Sequence, residues 1–96
     1  MSNNEFEKLV KLTVLNYENG TNTELNGREL GEEDVFIVWI CKTLQNNKAL
    51  VSTTVSGGLY YELTYNGDKD ELYFDAYKKV ENACISNPLR KMKEVN

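Results

Sequence analysis

Glu62 and Asp75 are the residues of this chain that come nearest to an acid–base pair. Two carboxylates can share proton-transfer work when burial drives their ionisation apart. Strand carboxylates set among tyrosines are usually surface residues, however, and no nucleophile or metal ligand stands near these two. The chain has no histidine to serve as a base. Cys41 and Cys84 form neither a CxxC pair nor a zinc set, and without an activating base they read as buried free thiols. Tyr60, Tyr73 and Tyr77 could stack nucleic-acid bases, a role that needs a basic track beside the rings. Only Lys42, Lys78 and Lys79 are close, against Glu62 and Asp75. The acidic residues Glu24, Glu29, Glu32, Glu33 and Asp34 lack the regular spacing of a calcium loop. The sequence therefore predicts a protein that is not an enzyme and carries no cofactor and no metal.

Composition sets further bounds. Ninety-six residues suffice for one domain with one modest core, and a net charge of -4 argues against bulk electrostatic attachment to nucleic acid. No apolar run reaches the roughly 18 to 20 residues of a spanning helix, and no basic segment leads into an apolar one at the N-terminus. The expectation is a cytoplasmic protein with no membrane contact. Asn19-Gly20-Thr21 matches a glycosylation sequon, which in that setting is only a turn.

The elements that must position these side chains are read from periodicity. Ser2 and Glu5 have capping-box spacing, and Phe6, Leu9, Val10, Thr13, Val14 and Tyr17 recur at three and four, predicting an N-terminal helix ended at Asn19-Gly20. Leu12 and Leu15 widen its apolar stripe. Residues 21–34 are polar and acidic, pinned by Leu25 and Leu30, and read as a long mobile connection.

Residues 35–44 are β-branched and aromatic, the mark of a strand covered on both faces near its start. A type I′ turn at Asn46-Asn47 predicts Leu44 opposite Ala49, Lys42 opposite Val51, Ile40 opposite Thr53 and Val38 opposite Val55. A second turn at Gly57-Gly58 predicts Val55 opposite Tyr60, Thr53 opposite Glu62 and Leu50 opposite Tyr65. After the turn at residues 66–70, residues 71–79 are favoured as a strand, because Leu72, Phe74 and Ala76 complete the face of Tyr65, Leu63 and Tyr61. The competing helix over residues 71–85 would use Asp68 and Glu71 as a capping box and leave Phe74 on its wet side. A short helix from about Val80 to Ile85 can follow the strand. The fold class is thus α+β: an N-terminal helix on an antiparallel meander of three to four strands, with room for a short C-terminal helix. Residues 1–85 form the domain, and residues 86–96, with Pro88 and Arg90-Lys91-Met92-Lys93, form a basic flexible tail.

These registers sort the sheet into two faces. Val35, Ile37, Trp39, Cys41, Leu50, Tyr61, Leu63, Tyr65, Leu72 and Phe74 collect under the helix as core. The other face gathers Phe36, Val38, Ile40, Val51, Val55, Tyr60, Tyr73 and Tyr77 among Lys42, Glu62, Thr64 and Asp75. Rings interleaved with charges are characteristic of contact surfaces. The candidate partner-binding residues are Tyr60, Glu62, Tyr73, Asp75, Tyr77 and Lys42. Cover for this face could come from the 21–34 loop, the C-terminal segment or a second copy.

Three stretches carry a resemblance: VWICKTLQNNKALVSTT at 38–54, YYELTYNGDK at 60–69 and YKKVEN at 77–82. They resemble a family of short proteins of unknown function encoded by phages and prophages of Gram-positive bacteria. The likeness covers roughly the second half of the chain, chiefly through the run from Trp39 to Thr54, and brings no catalytic residues with it. It implies a small phage accessory protein that binds a host protein or defence complex in the host cytoplasm, with a homodimer also allowed. The alternative is a nucleic-acid-associated protein ordered helix, three strands, helix, as in double-stranded RNA-binding domains. There the lysine-rich entry to the second helix would be replaced by Asp68, Asp70 and Glu71, which makes nucleic acid the less favoured partner.

Overall fold

A computed structural model describes residues 1–21, 28–55 and 59–94. Helix α1 (Asn3–Thr21) begins at the predicted capping box: the Glu5 amide donates to Ser2 Oγ at 3.1 Å and the Ser2 amide donates back to Glu5 Oε1 at 3.3 Å. Phe6, Val10, Val14 and Leu15 turn inward, while Leu12 faces water, so the helix has a single buried stripe. Asn19 does more than end it. Its side-chain amide accepts from the Leu30 amide at 2.8 Å and donates to the Leu30 carbonyl at 3.3 Å, as a neighbouring strand would.

That contact fixes the far part of the acidic connection. Leu30 is buried, and a short 3-10 turn (Glu32–Asp34) follows, closed by Asp34 accepting from the Gly31 amide at 3.0 Å. Asp34 also takes the Thr54 amide on its carbonyl at 2.9 Å. The expectation of a mobile loop is therefore corrected from Arg28 onward by these hydrogen bonds; Leu25 and Gly27 lie outside the described residues.

The sheet is an antiparallel meander in the order β1-β2-β3-β4, formed by β1 (Val35–Thr43), β2 (Asn46–Thr53), β3 (Leu59–Asn66) and β4 (Glu71–Lys78). The β1–β2 turn lies at Leu44-Gln45 rather than at Asn46-Asn47, with Leu44 in the left-handed region at φ 55. Lys42 consequently faces Asn47 and Ile40 faces Ala49. A bulge between Ile37 and Trp39 inserts Val38 as an extra residue. An extra residue reverses the alternation beyond it, so Val35, Ile37 and Ile40 are all buried or partly buried against the helix. Trp39 and Cys41, expected in the core, are exposed on the opposite face instead.

The β2–β3 pairing also differs from the expected one. Leu50 lies opposite Glu62, Val51 opposite Tyr61 and Ser52 opposite Tyr60. An offset of odd length changes which face each residue occupies, so Val51 is core and Leu50 belongs to the outer face. The expected Gly57-Gly58 turn lies outside the described residues.

In the β3–β4 ladder Leu72, Phe74 and Ala76 complete the face of Tyr65, Leu63 and Tyr61, as the sequence predicts, with Tyr65 opposite Leu72, Leu63 opposite Phe74 and Tyr61 opposite Ala76. Residues 71–78 are strand, so the helical alternative for 71–85 and the helix, three-strand, helix order are both corrected. The second helix, α2 (Pro88–Glu94), comes later than the Val80–Ile85 position expected. Proline is at home in a first helical turn, where its missing amide costs nothing. Cys84 is exposed in the stretch between β4 and α2, not buried.

The core is one cluster of Phe6, Val10, Val14, Val51, Tyr61 and Leu63 with their neighbours. Each large side chain buried there stabilises the fold by roughly 1.5 to 3 kcal/mol. Glu18 is buried among them and accepts a hydrogen bond from the Tyr61 hydroxyl. Tyr17, Tyr61 and Phe74 form an aromatic group with ring centres 5.1 to 5.7 Å apart.

Candidate contact face

Helix α1 covers one side of the sheet and leaves the other open. On β4 the open side carries Glu71, Tyr73, Asp75 and Tyr77, and on β3 it carries Tyr60, Glu62 and Thr64. Tyr60 is directly opposite Tyr77, Glu62 opposite Asp75 and Thr64 opposite Tyr73. Five of the six candidate residues are thus brought together on adjacent strands. Tyr73 and Tyr77 are 54% and 51% exposed, and Trp39 and Phe36 on β1 are 42% and 46% exposed.

Lys42 is the exception. Its register partner is the buried Asn47, which puts it on the helix side. There the Glu5 carboxyl is held below the usual range by its hydrogen bonds to Ser2 at the helix cap, with Lys42 a minor contributor. Lys48 takes the place expected for Lys42: its Nζ lies 3.1 Å from Glu62 Oε1 on the outer face. Trp39, Cys41, Lys48 and Leu50 are members of this face that the sequence reading does not place there. The signal for Lys48 is the spacing of Lys48, Leu50 and Ser52, which places a polar residue on each side of Leu50 and marks that row as the wet one.

Chemically the face offers contact. Glu62 and Asp75 stand opposite each other on the open sheet face, with the Lys48 ammonium beside Glu62 balancing its charge. Lys79 reaches back over the Tyr60 ring, with Nζ 5.3 Å from its centre, a cation–π contact that steadies the ring's position. Among the described residues no cluster of three or more His, Cys, Asp or Glu could hold a metal ion. A shallow polar depression elsewhere, lined by Asn4, Glu7, Lys8, Lys11 and Glu32, has charged walls and belongs to the helix surface. No helix among the described residues is long and apolar enough to cross a membrane.

None of the curated proteins compared with this chain matches it, and neither does any of the solved structures. A protein-family model does match, described as a family of unknown function (DUF6275), over residues 7–87. That span takes in most of α1, all four strands and the open face, and the chain belongs to this family.

Proposed function

We propose that this is a non-catalytic binding protein whose open sheet face engages a protein partner. The observation that carries the reading is the exposure of Trp39, Phe36, Tyr73 and Tyr77 together on one uncovered side of the sheet. Isolated exposed apolar residues are ordinary, whereas several large aromatic side chains exposed on one face of a small domain mark an interaction site. Its flanking carboxylates, Glu62, Asp75 and Glu71, favour a protein surface over a phosphate backbone, which would need cations beside the rings.

The resemblance of residues 38–54, 60–69 and 77–82 to phage and prophage proteins supports a phage accessory role in the host cytoplasm, with a host enzyme or defence complex as the partner. The test is affinity capture from infected host cells with the wild-type protein and a Tyr60→Ala/Tyr73→Ala variant. Truncating two central aromatic contacts weakens a typical interface by about 2 kcal/mol or more, roughly 30-fold. The variant should keep its circular dichroism spectrum and melting temperature and lose the captured partner. Equal capture by both proteins would remove this face from the function.

A further inference from the structure

The two edges of the sheet are treated differently. On β1 the bulge at Val38 breaks the ladder, a common device against edge-to-edge pairing. The other edge, β4, runs unbroken from Glu71 to Lys78 with no proline. Its helix-side row is also only half covered, because Leu72 and Phe74 are partly buried and Ala76 is exposed, with the Tyr17 ring reaching over Phe74.

We infer that β4 pairs antiparallel with β4 of a second copy, in the register that sets Phe74 opposite the partner's Phe74, to give one continuous eight-stranded sheet. Two-fold pairing of an edge with itself keeps helix sides together, so residues on the same face must meet. Under that condition two registers overlap nearly the whole strand: one centred on Phe74, pairing residues 71–77, and one centred on Asp75, pairing residues 72–78. Centring on Asp75 sets that carboxylate against its own copy and Leu72 against the partner's Lys78. Like charges directly opposite each other are destabilising.

Centring on Phe74 matches every row. On the helix side Phe74 meets the partner's Phe74 and Leu72 meets the partner's Ala76, which extends the Tyr17–Phe74 aromatic group across the axis. On the outer side Asp75 meets the partner's Tyr73 and Glu71 meets the partner's Tyr77, each carboxylate opposite a phenol that can donate to it. Beyond the strand end, Asp70 lies opposite the partner's Lys78. This self-complementarity selects a second copy over an unrelated strand. The inference goes beyond the binding reading and does not rest on it: the open faces of the two copies join into one surface, still free for another protein.

The test uses single-cysteine variants at exposed outer-face positions, Tyr73→Cys and Asp75→Cys, in a Cys41→Ser/Cys84→Ser background. Directly opposite positions bring Cβ atoms within about 4.5 to 5.5 Å, whereas diagonal ones lie about 7 to 8 Å apart. Under mild oxidation the mixture of the two variants should form disulfide-linked dimers several-fold faster than either variant alone. Sedimentation of the wild-type protein between about 1 µM and about 1 mM should show a monomer–dimer equilibrium. Monomer throughout would overturn the inference. So would Asp75→Cys cross-linking alone as fast as the mixture, or a dimer in which no variant cross-links.

Discussion

Replacing Trp39 by alanine should cost little, although it removes the largest side chain of the domain. Trp39 keeps 42% of its surface in water on the open face, so truncation leaves no enclosed cavity and forfeits only part of its burial, about 1 kcal/mol. Leu63 is a smaller residue at 0% exposure, held between Ala49 and Phe74 on the neighbouring strands. Leu63→Ala should cost about 2 to 5 kcal/mol, the lost transfer energy plus the cavity left behind. For a domain of this size 1 kcal/mol moves the melting temperature by about 4 to 8 °C. Trp39→Ala should then melt about 4 to 8 °C below the wild type and Leu63→Ala about 8 °C or more below it. Urea or thermal unfolding followed by circular dichroism reads both, since the chain has one tryptophan and the variant loses its fluorescence probe. Equal losses for the two variants would refute the Val38 bulge and put Trp39 back under the helix.

Three further outcomes follow from particular contacts. Asn19→Ala strips both hydrogen bonds from the Leu30 backbone and should cost about 1 to 3 kcal/mol in urea unfolding, with faster hydrogen exchange at the Leu30 amide. Gly67→Ala would put a Cβ 2.0 Å from the Gln45 carbonyl oxygen, so the turn from β3 to β4 must move, at about 1 to 3 kcal/mol in the same measurement. The Tyr61 hydroxyl is pushed well above the ordinary tyrosine range, first by burial and then by its hydrogen bond to Glu18. Its folded-state value exceeds the unfolded one, so the native state holds this proton more tightly. The stability that it contributes is intact below about pH 10 and declines as the pH rises beyond that. Tyr61→Phe should melt lower than wild type at neutral pH, yet lose less between about pH 8 and about pH 11.

The sequence is most legible where the signal is local. The Ser2–Glu5 box, the inward spacing of Phe6, Val10 and Val14, and the alternation of Tyr61, Leu63 and Tyr65 against Leu72 and Phe74 each depend on residues close in the chain. Five of the six candidate contact residues follow from that last ladder. The β1–β2 hairpin is not legible in the same way. Residues 35–41 are apolar on both faces, so alternation cannot reveal the bulge, and the turn uses Leu44 in a left-handed conformation that leucine seldom adopts. Together these misplace Lys42, Trp39 and Cys41 at once. The Glu18–Tyr61 hydrogen bond is a tertiary contact between residues 43 apart, and neither residue's local setting announces it.

The open face is the centre of the account, and footprinting tests it most directly. Hydroxyl-radical labelling of the protein, free and bound to its captured partner, should show Trp39, Tyr73 and Tyr77 protected on binding while Leu12 and Met1 on the helix side stay reactive. Protection confined to the helix side, with the three aromatic residues labelled as in the free protein, would contradict it.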